Sequence, residues 1–98
     1  MSSICGKVIS VEIEEESDGK GGSKTITKFV VENENGTREF EHPGELSDQM
    51  RDLLQKGFDN QKLNATVEYT KVEVKDENGE AKVKYKVTSV KLSHKKCD

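Results

Sequence analysis

The sequence predicts a mainly β fold with a single helix, and three observations carry that reading. Valine outnumbers leucine ten to five, and β-branched side chains, stiff at χ1, fit a pleated surface better than a helix. Two Asn-Gly pairs, Asn35-Gly36 and Asn78-Gly79, each lie between strand-like segments, which is the signature of a β-hairpin. One stretch, Pro43 to Gly57, switches to the helical period. A chain of 98 residues fits one domain, residues 1–98, because independent folds rarely run below about 50. Leu, Ile, Val and Phe together number 22 of the 98, just above the roughly 20% below which disorder is the default, so the core is modest.

Ile4 to Ile13 reads as a first strand whose apolar positions change parity: Ile4 and Val8 are even, Ile9, Val11 and Ile13 odd. Such a strand serves two faces and needs a bulge or a steep coil, with Gly6 in the stretch that bends. Residues 14–24 hold three glycines and no large apolar side chain and read as a flexible loop. Thr25 to Asn33 and Thr37 to Glu41 form a hairpin. A type I′ turn at Asn35-Gly36 pairs Val31 with Phe40, placing Phe29, Val31 and Phe40 on a core face and Glu32, Glu34, Glu39 and Glu41 on the opposite, acidic one.

Leu46, Met50, Leu53 and Leu54 form an apolar stripe at helical spacing. Pro43 suits the first turn, Gly57 the left-handed position after the last, and Phe58 can then fold back on Leu53. Leu63 to Lys75 and Ala81 to Ser93 make a long hairpin. Counting from its turn pairs Val74 with Val83, Val72 with Tyr85 and Thr70 with Val87 in the tip half, and Val67 with Val90 and Ala65 with Leu92 nearer the base. Either the hairpin coils steeply around a small barrel or its outer half projects and offers a second apolar face. Residues 93–98 read as a frayed tail.

The order strand, strand, strand, helix, strand, strand, with a doubly facing first strand, resembles the oligonucleotide/oligosaccharide-binding (OB) fold. The resemblance covers nearly the whole chain and rests on topology, not on a sequence motif. It implies a five-stranded Greek-key barrel with the helix between strands three and four. It also implies a ligand face across strands two and three, bounded here by residues 14–24 and 76–80.

Single-stranded nucleic acid needs cations for phosphates and aromatic faces for bases. The implied face offers four glutamates, and the chain has no Trp. The lysine-rich face of the last hairpin, Lys71, Lys75, Lys82, Lys84 and Lys86, is the alternative nucleic-acid surface. The expected function is instead a non-enzymatic binding or assembly module working through protein contacts of residues 70–87, with Val72, Val74, Val83, Tyr85 and Val87 as an apolar face and Tyr85 as its anchor. The partner is a protein or a second copy, whose acidic face would meet the lysines.

Enzymatic chemistry is not expected. His42 and His94 are the only imidazoles, and neither has a nucleophile or orienting partner close in sequence. His94-x-x-Cys97 falls short of the four ligands of a structural zinc site, so neither a metal nor a cofactor is expected. The first residues lack the basic start and apolar core of an export signal, and no apolar run approaches a membrane span. A cytoplasmic location with Cys5 and Cys97 reduced is the expectation that follows.

Overall fold

The computed structural model describes residues 2–17, 20–75 and 78–97. Its elements are β1 (Ser2–Ser17), β2 (Ser23–Asn33), β3 (Gly36–Pro43), α1 (Asp48–Asp59), β4 (Asn64–Lys75) and β5 (Ala81–Ser93). The strands form one antiparallel sheet in the order β3-β2-β1-β4-β5. β1 serves both halves of it: Ser2–Gly6 pair with β4, and Lys7–Ser17 pair with β2.

The parity change expected in β1 is a bulge at Ile9, between the pairs Val8 with Val31 and Ser10 with Val30. It turns Val8 and Val11 toward the same core. Gly6 sits where the strand changes partners, and a Cβ there would lie 2.3 Å from the Glu32 carbonyl oxygen. Only glycine permits that approach.

Residues 14–24 correct the loop expectation at both ends, since Glu14–Ser17 pair with Ser23–Ile26. Hydropathy misread them because Glu14 and Glu16 are held in the strand by ion pairs to Lys28 and Lys84. The β2–β3 register is shifted by two: Phe29 pairs with Phe40 and Asn33 with Gly36. The turn residues are therefore Glu34 and Asn35, and the Asn33 side chain accepts from the Asn35 N–H at 2.9 Å, an Asx-type closure. Gly36 alone takes positive φ there, so the turn is not type I′. A shift of two preserves the faces.

The helix starts later than predicted. Ser47 caps it, its hydroxyl accepting from the Met50 N–H, while Pro43 ends β3. Gly57 lies inside the helix and is buried, where a Cβ would lie 3.2 Å from Leu92 and 3.3 Å from Val8. Asn60 caps the C-terminus, and Phe58 is left 40% exposed. The predicted stripe holds in part: Leu54 is buried on the helix with Met50 and Leu53 packed against the same cluster, whereas Leu46 is buried just before the helix begins.

The base of the β4–β5 hairpin pairs as predicted, but a bulge at Thr88, between the pairs Glu68 with Ser89 and Tyr69 with Val87, shifts the tip by one residue. Val83 now opposes Glu73, Tyr85 opposes Lys71, and Lys82 and Lys84 oppose Val74 and Val72. A one-residue slip exchanges faces, and its consequence for the surface is large.

Among the described residues no backbone ladder joins β3 to β5, although the two strands are in contact. Side chains bridge them. The Val87 N–H donates to His42 Nδ1 at 3.0 Å, and Lys84 donates to Glu41. The core between them holds Phe29, Phe40, Val31, Val67, Tyr69 and Val87, with Phe29 and Phe40 stacked 5.0 Å apart.

Cys5 and Cys97 form a disulfide with Cα atoms 5.7 Å apart, which corrects the expectation of reduced thiols. β1 and the end of the chain lie side by side, so the two cysteines meet although 92 residues separate them. The tail is pinned accordingly, and Asn64 also donates to the Lys95 carbonyl at 2.7 Å. Among the described residues no helix is long and apolar enough to cross a membrane.

Candidate functional site

The five apolar residues expected to share a hairpin face are divided by the Thr88 bulge. Val83, Tyr85 and Val87 lie with Tyr69, whereas Val72 and Val74 lie on the other face among the lysines. Val87 is buried, Tyr85 half-buried, and Val83 is 41% exposed. The face running from Val87 through Tyr85 to Val83 thus leads from the core to solvent.

The same bulge divides the five lysines expected on one face, Lys71 and Lys75 lying with Tyr85 and Lys82, Lys84 and Lys86 with Val72 and Val74; Lys71, Lys75, Lys82 and Lys86 are exposed, with no carboxylate in ion-pair range among the described residues. Lys84 does not belong with them. Its side chain is 3% exposed and pairs with Glu41 and, at 3.4 Å, Glu16. Burial alone would depress its ammonium, but the Glu41 hydrogen bond and the two carboxylate charges outweigh this and hold it above the ordinary lysine value. Lys84 forms the floor of a cleft of about 250 Å³ between the ends of the two hairpins, with Lys24, Lys75, Lys82 and Val74 on its walls. Residues 18, 19, 76 and 77, which fall in the two loops expected to bound a ligand face, lie outside the described residues.

The acidic face is also smaller than its sequence count. Glu32 and Glu39 are exposed on it, Glu34 has moved into the turn, and Glu41 is engaged by Lys84 and, at 3.6 Å, by Lys28. The Lys84 hydrogen bond holds the Glu41 carboxyl below its ordinary range against the opposing effect of burial. Lys28 also pairs with Glu14 at 3.0 Å, and that hydrogen bond raises its ammonium. Three carboxylates and two ammoniums from β1, β2, β3 and β5 therefore form one network.

His42 lies in the seam between β3 and β5. It is 7% exposed, and burial, then the charge of Lys86, lowers its pKa, against a backbone hydrogen bond at Tyr85 that raises it. The neutral imidazole is the form that accepts from the Val87 N–H. His94 is exposed near the tail, and Cys97 is committed to the disulfide. Among the described residues no three His, Cys, Asp or Glu side chains are grouped to hold a metal.

Sequence reasoning did not single out Arg38. It pairs with Val31 on the Phe29 and Phe40 face, and its guanidinium carbon lies 5.2, 5.1 and 5.2 Å from the ring centres of Phe40, Tyr69 and Tyr85. The rings meet edge to face at 64°, 73° and 89°. The parity of β3 already put Arg38 with the core residues, which was the available signal. That two distant tyrosines gather beneath it depends on the Thr88 bulge.

Compared with known proteins, the chain matches no family model, no curated protein and no solved structure. The functional reading therefore stands on the residues alone.

Proposed function

We propose that this protein is a non-enzymatic binding module that contacts a protein partner through the 70–87 hairpin, on an OB-like barrel whose β3–β5 seam is closed by side chains. The barrel reading is supported by the element order, by β1 shared between two pairings, and by the His42 and Lys84 bridges. The binding reading is carried by one observation: Val83 is exposed beside half-buried Tyr85, with exposed Lys71, which has no ion-pair partner among the described residues, opposite Tyr85 on the same face. An apolar centre with a charged rim is the anatomy of a protein contact. Nucleic acid fits less well, because among the described residues no aromatic side chain lines the lysine cleft and base stacking carries much of that affinity.

The test is an amide NMR dilution series with sedimentation, for the wild type and Val83→Asp, together with a titration of mixed-sequence single-stranded DNA at low and physiological salt. Concentration-dependent shifts in residues 70–87 that Val83→Asp abolishes support the reading with a second copy as partner. DNA-induced shifts of Lys71, Lys75, Lys82 and Lys86 that survive physiological salt overturn it.

A further inference from the structure

Resting on the protein-partner reading, we infer that Arg38 is a receptor for a carboxylate, and that the segment seated on this face is an acidic polypeptide. A guanidinium carries five N–H donors and no acceptor, and ring faces attract its charge without satisfying those donors. Arg38 has no hydrogen-bond or ion-pair partner among the described residues, in a chain with 19 Asp and Glu. Arg51, Lys28 and Lys84 all find carboxylates.

Arg38 is nevertheless not a loose surface cation. Three rings from β3, β4 and β5 hold its head group at nearly equal distances, and Phe40 beneath it is fully buried. The side-chain entropy that binding normally costs is already spent on the stacking. A planar fork, held in place and unpaired, matches a carboxylate in two-point geometry. Lys71, opposite Tyr85, adds a second positive charge on the same face, and Glu73, opposite Val83, is the acidic residue there. Arg and Tyr, moreover, are the residues most enriched at the energetic centres of interfaces.

The experiment uses the full chain, labelled with ¹⁵N, and three probes: a hexaglutamate peptide blocked at both ends, a blocked hexalysine peptide, and an oligothymidylate. Hexaglutamate is expected to move the Arg38 Nε–H resonance and the amides of Val83 and Tyr85, and hexalysine to move none of them. Arg38→Lys, which keeps the charge but loses the fork, should bind hexaglutamate roughly tenfold more weakly. Lys71→Ala should change affinity about threefold or less. An unchanged amide spectrum away from the site verifies that Arg38→Lys is folded. If the hairpin amides move while the Arg38 Nε–H stays still and Arg38→Lys binds equally well, the hairpin reading survives and the carboxylate receptor is refuted. Movement of the Arg38 Nε–H by oligothymidylate alone, or by no probe, also overturns it.

Discussion

Replacing Glu41 by Gln keeps the shape of the side chain and removes the charge that makes burial of Lys84 tolerable. The Lys84 side chain is 3% exposed, whereas those of Glu41 and Glu16 remain 30% and 32% exposed. After the change the ammonium retains, among the described residues, Glu16 at 3.4 Å and a neutral amide oxygen. Removing one partner of a buried pair costs about 3–5 kcal/mol. The residual Glu16 contact places Glu41→Gln at the lower end, about 3 kcal/mol, or roughly 12–24 °C in Tm for a domain of this size. Urea unfolding should show a lower midpoint at unchanged slope. The double variant Glu41→Leu/Lys84→Met, which removes both charges, should be markedly more stable than the sum of its single changes. Because the Lys84 hydrogen bond holds the Glu41 carboxyl below its ordinary value of 4.5, its contribution is intact above that pH and is lost as pH falls through the folded pKa. A loss under about 0.5 kcal/mol, within the range of ordinary surface changes, would refute the seam as a structural element.

Three further outcomes follow from the same geometry. His42 is lowered from 6.5, so the unfolded chain binds its proton first; stability should be full above that value and decline as pH falls below it toward the folded pKa, a decline that His42→Phe removes in denaturation series between pH 7.5 and 5. Gly6→Ala forces a Cβ to within 2.3 Å of the Glu32 carbonyl oxygen, and a thermal melt should show a loss of roughly 1–3 kcal/mol from overpacking. Cys97→Ser, or a reducing agent, opens a closure across 92 residues and should cost up to about 4.6 kcal/mol on the chain-entropy model, read by denaturation with and without reductant.

What the sequence revealed was set by parity and period, and what it hid was set by geometry between distant strands. The Met50, Leu53 and Leu54 stripe, the bulge in the first strand and the Phe29, Val31 and Phe40 face are local patterns, and they hold. Helix ends moved because Ser47 caps the helix four residues beyond the Pro43 expected in its first turn, and because Gly57 packs closely against Val8 and Leu92 inside the helix instead of ending it. The candidate surface moved most. A single extra residue at Thr88 separates Val72 and Val74 from Tyr85, and no propensity marks a threonine between two strand residues as a bulge. Lys84 likewise reads as one of an alternating lysine series, and only the approach of β3 makes it the buried member. The disulfide was hidden for a similar reason: two cysteines 92 residues apart give no sign in sequence that the first strand and the tail are neighbours.

The placement of Tyr85 on the Arg38 face is the claim on which the surface, the partner class and the carboxylate receptor all depend, and one nuclear Overhauser spectrum of the free protein tests it. The account predicts cross-strand contacts of Tyr85 with Lys71 and of Val83 with Glu73, and contacts from the Arg38 side chain to the rings of Tyr69 and Tyr85 with ring-current shifts of its δ and ε protons. Cross-strand contacts of Tyr85 with Val72 and of Val83 with Val74, with Arg38 at random-coil shifts, would contradict it.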